Sequence, residues 1–207
     1  RERDAMSKLF KLKKWLTVPD AARHLSIAFG EEVSESDVLR FCLDGHLKLS
    51  VQLVNGGYAR LRKPVEVADI QFDRVSNLDG SGYIDLPRNG SIRSDELGVF
   101  QVSREVTELE AAVWDLPLFA GERLDVEHRY QMLTGGPEVS TVYLDGALVQ
   151  STNGTLFELQ EHFSDNKHFD KMNLNNPYLH ADNFYPAGGL PQDSVLVVRT
   201  EALREFE

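Results

Sequence analysis

Between Leu16 and Leu47 the apolar positions fall into two groups with helical spacing, each preceded by a capping residue. Thr17 can accept a first-turn N–H, Pro19 suits the first turn, and Asp20 complements the helix dipole there. Ala21, Ala22 and Leu25 then give a small-residue face that a second helix can approach closely. That second helix is predicted after Ser34, with Glu35 and Asp37 in its first turn and Val38, Leu39, Phe41, Cys42 and Leu43 as its apolar face. Gly45 suits the left-handed position that ends it. Residues 26–32 read as a loop longer than a tight turn. Residues 47–54 alternate with period two, Asn55-Gly56-Gly57 signals a turn, and residues 58–62 are expected to return as the second strand of a hairpin.

From Pro64 onward the pattern changes to short alternating stretches separated by Gly, Asn, Asp and Pro. Strands are predicted over 68–73, 98–102, 124–132, 140–144, 147–149 and 194–200, with Asp145-Gly146 turning one pair into a hairpin. The periodicity of 106–114 fits a short helix or a strand. Residues 155–163 read as a short amphipathic helix, 173–189 as a loop, and 202–207 as the start of a helix without a cap. The fold class expected is α+β. A small winged helix-turn-helix-like module over 6–64 would precede an acidic, mainly β domain over 65–207, and the uncapped end predicts a continuation.

Composition sharpens this division. The chain has 207 residues and a formal net charge of −11, with 42% hydrophobic and 27% charged residues, which is ordinary for a globular protein. Residues 1–64 hold twelve Lys and Arg against eight Asp and Glu, leaving ten against twenty-five for 65–207. Such asymmetry fits a nucleic-acid-facing end joined to a domain that meets no phosphate. A Lys-rich start (Lys8, Lys11, Lys13, Lys14) also accounts for most of it. No apolar run approaches the ~20 residues that span a bilayer, and Met6-Ser7-Lys8 reads as a natural start rather than a signal peptide. One cysteine among apolar neighbours fits a reducing compartment and a structural role.

Leu16, Thr17, Ala21, Ala22, Leu25, Val33, Ser34, Val38, Leu43, Gly45 and Leu47 together resemble the excisionase and MerR-type helix-turn-helix, over about a quarter of the chain. Asp20 stands where that family usually has Glu. The resemblance implies a recognition helix in the major groove. Two departures weigh against DNA: the longer loop, and Glu31, Glu32, Glu35 and Asp37 at the helix entrance, where carboxylates repel phosphates. The DNA-contacting candidates are therefore Lys13, Lys14, Arg40, Arg60, Arg62 and Lys63. The whole chain is also similar to a group of bacterial proteins sharing GERLDVEHRYQMLTGGP and LPQDSVLVVRTEALREFE. That likeness implies a bacterial, cytoplasmic setting and lends no activity.

Candidate chemistry is sparse. Asn77, Asp79, Ser81 and Asp85 sit at calcium-loop spacing, but Arg88 occupies the place of the bidentate ligand, so a Gly-rich turn is expected. His162, His168 and His180, with Asp165, Asp170 and Asp182 nearby, are a weak metal alternative without motif spacing. Glu127 and His128 would point to opposite faces of a strand. No nucleophile elbow or phosphate loop is present in the sequence, and no cofactor is expected. Two readings follow: a regulatory or adaptor protein whose N-terminal module contacts DNA or a protein partner and which can self-associate, or an enzyme or ligand-binding domain with a pocket near 162–185; Tyr178, Phe184, Tyr185 and Trp114 could line such a pocket or cover the edge of a sheet.

Overall fold

The computed structural model describes residues 10, 12–77, 80–88, 91–95, 98–140, 146–162 and 183–207. It opens with β1 (Trp15–Thr17) leading straight into α1 (Val18–Phe29). The Thr17 hydroxyl accepts the Asp20 N–H, and Gly30 closes the helix in the left-handed region. Residues 26–29, expected in a loop, are therefore helical, and the connection to α2 (Glu35–Leu43) is short. Ser26 explains why it holds: its hydroxyl donates to the Ala22 and Val33 carbonyls and accepts the Val33 N–H at 2.8 Å. At Ser34 a capping box forms with Asp37, as the sequence predicts. Gly45 follows the end of α2 at φ 79°.

Val18, Leu25, Val38 and Leu39 are fully buried where α1 and α2 meet the sheet. Each such side chain contributes about 2 kcal/mol of apolar burial. The sheet has ten strands: β1, β2 (Ser50–Gln52), β3 (Gly57–Pro64), β6 (Ser91–Asp95), β7 (Gly98–Leu109), β8 (Val113–Asp115), β9 (Leu148–Gln150), β10 (Leu156–His162), β11 (Phe184–Pro186) and β12 (Val195–Arg199). Nine of them run in the order β1-β12-β2-β8-β9-β10-β3-β7-β6, and β11 pairs with β10 off this path, every pairing antiparallel. The protein is α+β, and its later residues are mostly sheet. Hydrogen bonding crosses the boundary expected at 64/65, because β1, β2 and β3 all pair with strands from beyond it.

That order overturns the expected wing. The chain does turn tightly, Val54 and Asn55 lying between the Leu53 carbonyl and the Gly56 N–H that donates to it, but β2 pairs with β12 and β8 while β3 pairs with β10 and β7, so the two strands form no hairpin. Leu53 shows why: its N–H donates to the Ala112 carbonyl, drawing this edge to the β8 side before the chain reverses. A turn sequence specifies a reversal, and long-range partners decide the pairing.

Three further elements differ from expectation: of the strand expected over 68–73 only 72 and 73 are in a strand, residues 67–69 forming a 3-10 turn. Residues 121–134 form helix α3 (Gly121–Thr134) instead of a strand over 124–132. Within the run 155–163, expected as a helix, residues 156–162 form β10. The ambiguous 106–114 run ends β7 and starts β8. On one edge β10 meets β3; on the other it meets β9 at residues 156–158 and β11 at 160–162, with Leu159, Ala147 and Ala187 exchanging N–H···O bonds at the junction. The expected strand at 140–144 and its Asp145 turn lie largely outside the described residues.

Away from the main sheet, β4 (Phe72–Ser76) and β5 (Tyr83–Pro87) pair, among the described residues, only with each other. The Asn77 N–H donates to the Gly82 carbonyl and closes this hairpin at 2.8 Å. Asp85 accepts from Arg74, and Asp73 from Arg88, so these four side chains form cross-strand ion pairs. Helix α4 (Thr200–Phe206) ends the chain, with Phe206 against Phe41 and Phe29 and Glu207 hydrogen-bonded to His24.

Candidate functional site

The six basic residues singled out by sequence lie on three separate segments, before β1, on α2 and on β3. Lys13 and Lys14 are exposed beside the start of α1, where Lys13 pairs with Asp20 at 3.3 Å. Arg40 is exposed on α2 and pairs with Asp44 one turn later at 2.7 Å. Arg60, Arg62 and Lys63 lie on β3, in the main sheet and not in a wing. Lys63 is exposed, whereas Arg62 is only 3% exposed and lies 4.7 Å from the Phe100 ring.

The would-be recognition helix is also partly covered. α3 packs along α2, bringing Arg129 to within 3.7 Å of Glu35, and Arg123 donates to the Leu43 carbonyl. Glu31, Glu32 and Asp37 remain exposed at its entrance. The Ser34 hydroxyl, then the Ser34 backbone N–H, hold Asp37 below the usual carboxylate range, so it stays charged. Negative potential is therefore built into the end that would approach phosphate.

What β3 builds is a buried charged cluster. Because Glu158 opposes Arg60 and Leu156 opposes Arg62, these side chains share one face of the sheet. Glu158 is 1% exposed, accepts from the Gln160 amide at 3.2 Å, and lies 3.7 Å from Arg93. Burial raises its pKa; Arg93, Arg62, the Gln160 hydrogen bond and Arg60 pull it back. Sequence reading missed Glu158, Gln160 and Arg93. The clue was the alternation Glu158-x-Gln160, visible only once 156–162 is read as a strand.

A second buried polar pair ties distant strands. Asp115 on β8 accepts from Arg199 at 2.6 Å and from Ser50 at 2.8 Å. On α3, Glu122 is completely buried and accepts three backbone N–H groups, with burial raising its pKa against those bonds. Glu127 and His128 are consecutive residues of this helix, so the opposite-face argument made for a strand does not apply. Glu127 is engaged by Arg123 at 2.8 Å.

Of the histidines considered for metal, His162 ends β10 with its ring edge-on to Phe184, 5.2 Å between centroids. His168, His180 and Tyr178, with Asp165, Asp170 and Asp182, lie outside the described residues. Among the described residues no group of three or more His, Cys, Asp or Glu side chains forms a metal-sized cluster. In the calcium-like run, Asp85 and Arg88 are engaged on the β4–β5 hairpin, and Asp79 lies outside the described residues. Cys42 is buried, and burial pushes its thiol up to about 12. Among the described residues no helix is long and apolar enough to cross a membrane. Compared with family models, curated proteins and solved structures, the chain matches none.

Proposed function

We propose that this chain is a regulatory or adaptor protein that works by contacting a protein partner, with its helix-turn-helix-like pair serving as structural support. The observation carrying this reading is the β4–β5 hairpin. Val75, Ile84 and Leu86 lie on one face of it and Phe72 and Tyr83 on the other, and all five are exposed, Tyr83 by 70%. A two-stranded hairpin is marginal by itself in water, and apolar side chains projecting together favour an association surface. The dispersal of the basic candidates and the negative entrance to α2 count against DNA as the partner.

Two measurements with the full chain test it. Duplex DNA is expected to show no retardation at low salt. A protein partner captured by crosslinking in the host cell is expected to be lost from the Val75→Asp/Ile84→Asp variant while its circular dichroism is unchanged. The reading fails if DNA is retarded with steep salt dependence and that retardation disappears in Lys13→Ala, Lys14→Ala and Arg40→Ala.

A further inference from the structure

A cavity of about 490 Å³ opens between the C-terminal end of α2 and the loop joining β8 to α3. This volume lies in the range that holds small organic ligands. Leu47, Leu49, Leu116, Phe119 and Leu156 form much of its apolar wall. Charged groups at its rim are Asp44, Lys48, Asp115 and Arg123. Three of them are neutralised in place: Asp44 by Arg40, Asp115 by Arg199 and Arg123 by Glu127. Lys48 is exposed and has no ion pair among the described residues, so the rim carries one uncompensated positive charge.

The lip of this cavity is also held in an unusual conformation. Leu118 has φ 57°, the one positive φ of a non-glycine residue among those described. A leucine rarely adopts this region, and such strain persists where its surroundings over-determine it. Here Arg123 donates to the Leu118 carbonyl, and the next two N–H groups, of Phe119 and Ala120, are fixed by Glu122. The fold thus fixes the loop in the shape that walls the cavity.

We propose that this cavity binds a small amphipathic anion, its apolar body against Leu47, Leu116 and Phe119 and its single negative group beside Lys48. The apolar wall supplies affinity and the one unpaired cation supplies orientation. This site is separate from the hairpin assigned above to partner contact, so either assignment can fail alone.

The test is fluorescence titration of the full chain with 8-anilinonaphthalene-1-sulfonate, and with the uncharged N-phenyl-1-naphthylamine for comparison. One saturable site is expected, with the sulfonate bound more tightly than the uncharged ring. Lys48→Glu should weaken the sulfonate about tenfold, the scale of one partly exposed charge contact reversed in sign. Lys63→Glu, which does not line the cavity and alternates to the sheet face opposite Arg62 and Leu156, should leave it unchanged. Leu156→Trp, which fills the cavity, should abolish binding of both probes with the circular dichroism retained. Because the β4–β5 hairpin also exposes apolar groups, the titration is repeated in Val75→Asp/Ile84→Asp, where binding should persist. Non-saturating binding, equal affinity in Lys48→Glu, or loss of binding in the hairpin variant would overturn the proposal.

Discussion

Glu122, in the first turn of α3, accepts the backbone N–H of Leu148, the first residue of β9, at 2.8 Å. Its other carboxylate oxygen takes the Phe119 and Ala120 N–H groups at 3.1 and 3.3 Å. One side chain thereby fixes the loop before α3, the start of the helix and a strand of the sheet. No described cation faces it; backbone dipoles do the compensation.

Replacing Glu122 with Ala is expected to cost about 3 kcal/mol, since three buried N–H groups lose their acceptor; urea denaturation measures it. The pH dependence has a definite sign. The folded pKa is raised, so the folded chain binds more protons than the unfolded chain just above the ordinary glutamate range. This site's contribution is therefore greatest below that range and declines as pH rises through the folded pKa. The advantage of wild type over Glu122→Gln should shrink as pH rises through the same window. A constant difference would refute the assignment.

Cys42 should resist alkylation by iodoacetamide at neutral pH while the protein is folded, because its thiol, pushed up to about 12, supplies almost no thiolate. Modification should become rapid in denaturant. Mass spectrometry after timed quenching reads both rates, and fast labelling of the native chain would contradict the buried position.

Gly30 and Gly56 offer a matched comparison. Their φ angles are 74° and 72°, but a Cβ at Gly30 meets open space, whereas one at Gly56 overlaps the Leu109 carbonyl oxygen. Gly30→Ala should cost about 1 kcal/mol from the left-handed backbone alone. Gly56→Ala should cost clearly more, about 2–3 kcal/mol, because backbone must also move. Thermal denaturation of the two variants side by side gives the difference, and equal losses would argue against the turn geometry.

Asp115→Ala should cost about 3 kcal/mol by leaving Arg199 and Ser50 without their shared acceptor. Adding Arg199→Met should restore part of that loss. A double-mutant cycle with no coupling would mean the pair contributes nothing to holding β8 and β12 together.

The starts of the helices at 18 and 35 were legible in the sequence because their signals are local, whereas the last turn of the first, residues 26–29, reads as loop. Thr17 and Ser34 accept first-turn N–H groups as their positions suggest, and Asp37 completes the capping box. The failures have equally specific causes. Leu124, Val126, Tyr130 and Met132 fall on even positions and imitate a strand, yet among them only Val126 is buried while Met132 is 72% exposed. In β10 both faces are buried, with Glu158 and Gln160 on one and Leu159 on the other, so no polar face remained to mark the period. Leu156, Phe157 and Leu159 were left to look helical. The cluster around Glu158 depended on partners from β3 and β6, residues 60 to 93, which no local pattern could bring together.

The position of β12 has a consequence for how this chain can be made. It lies between β1 and β2, pairing Trp15 with Arg199 and Gln52 with Val195. During synthesis the first strands emerge long before the one that joins them, leaving two unpaired edges near the start of the chain. Contacts this distant in sequence slow folding, and open edges invite pairing with other chains. A ribosome releasing this protein must therefore expose an unfinished sheet until almost the last of these residues has been added, and chains truncated before residue 195 should accumulate as aggregates.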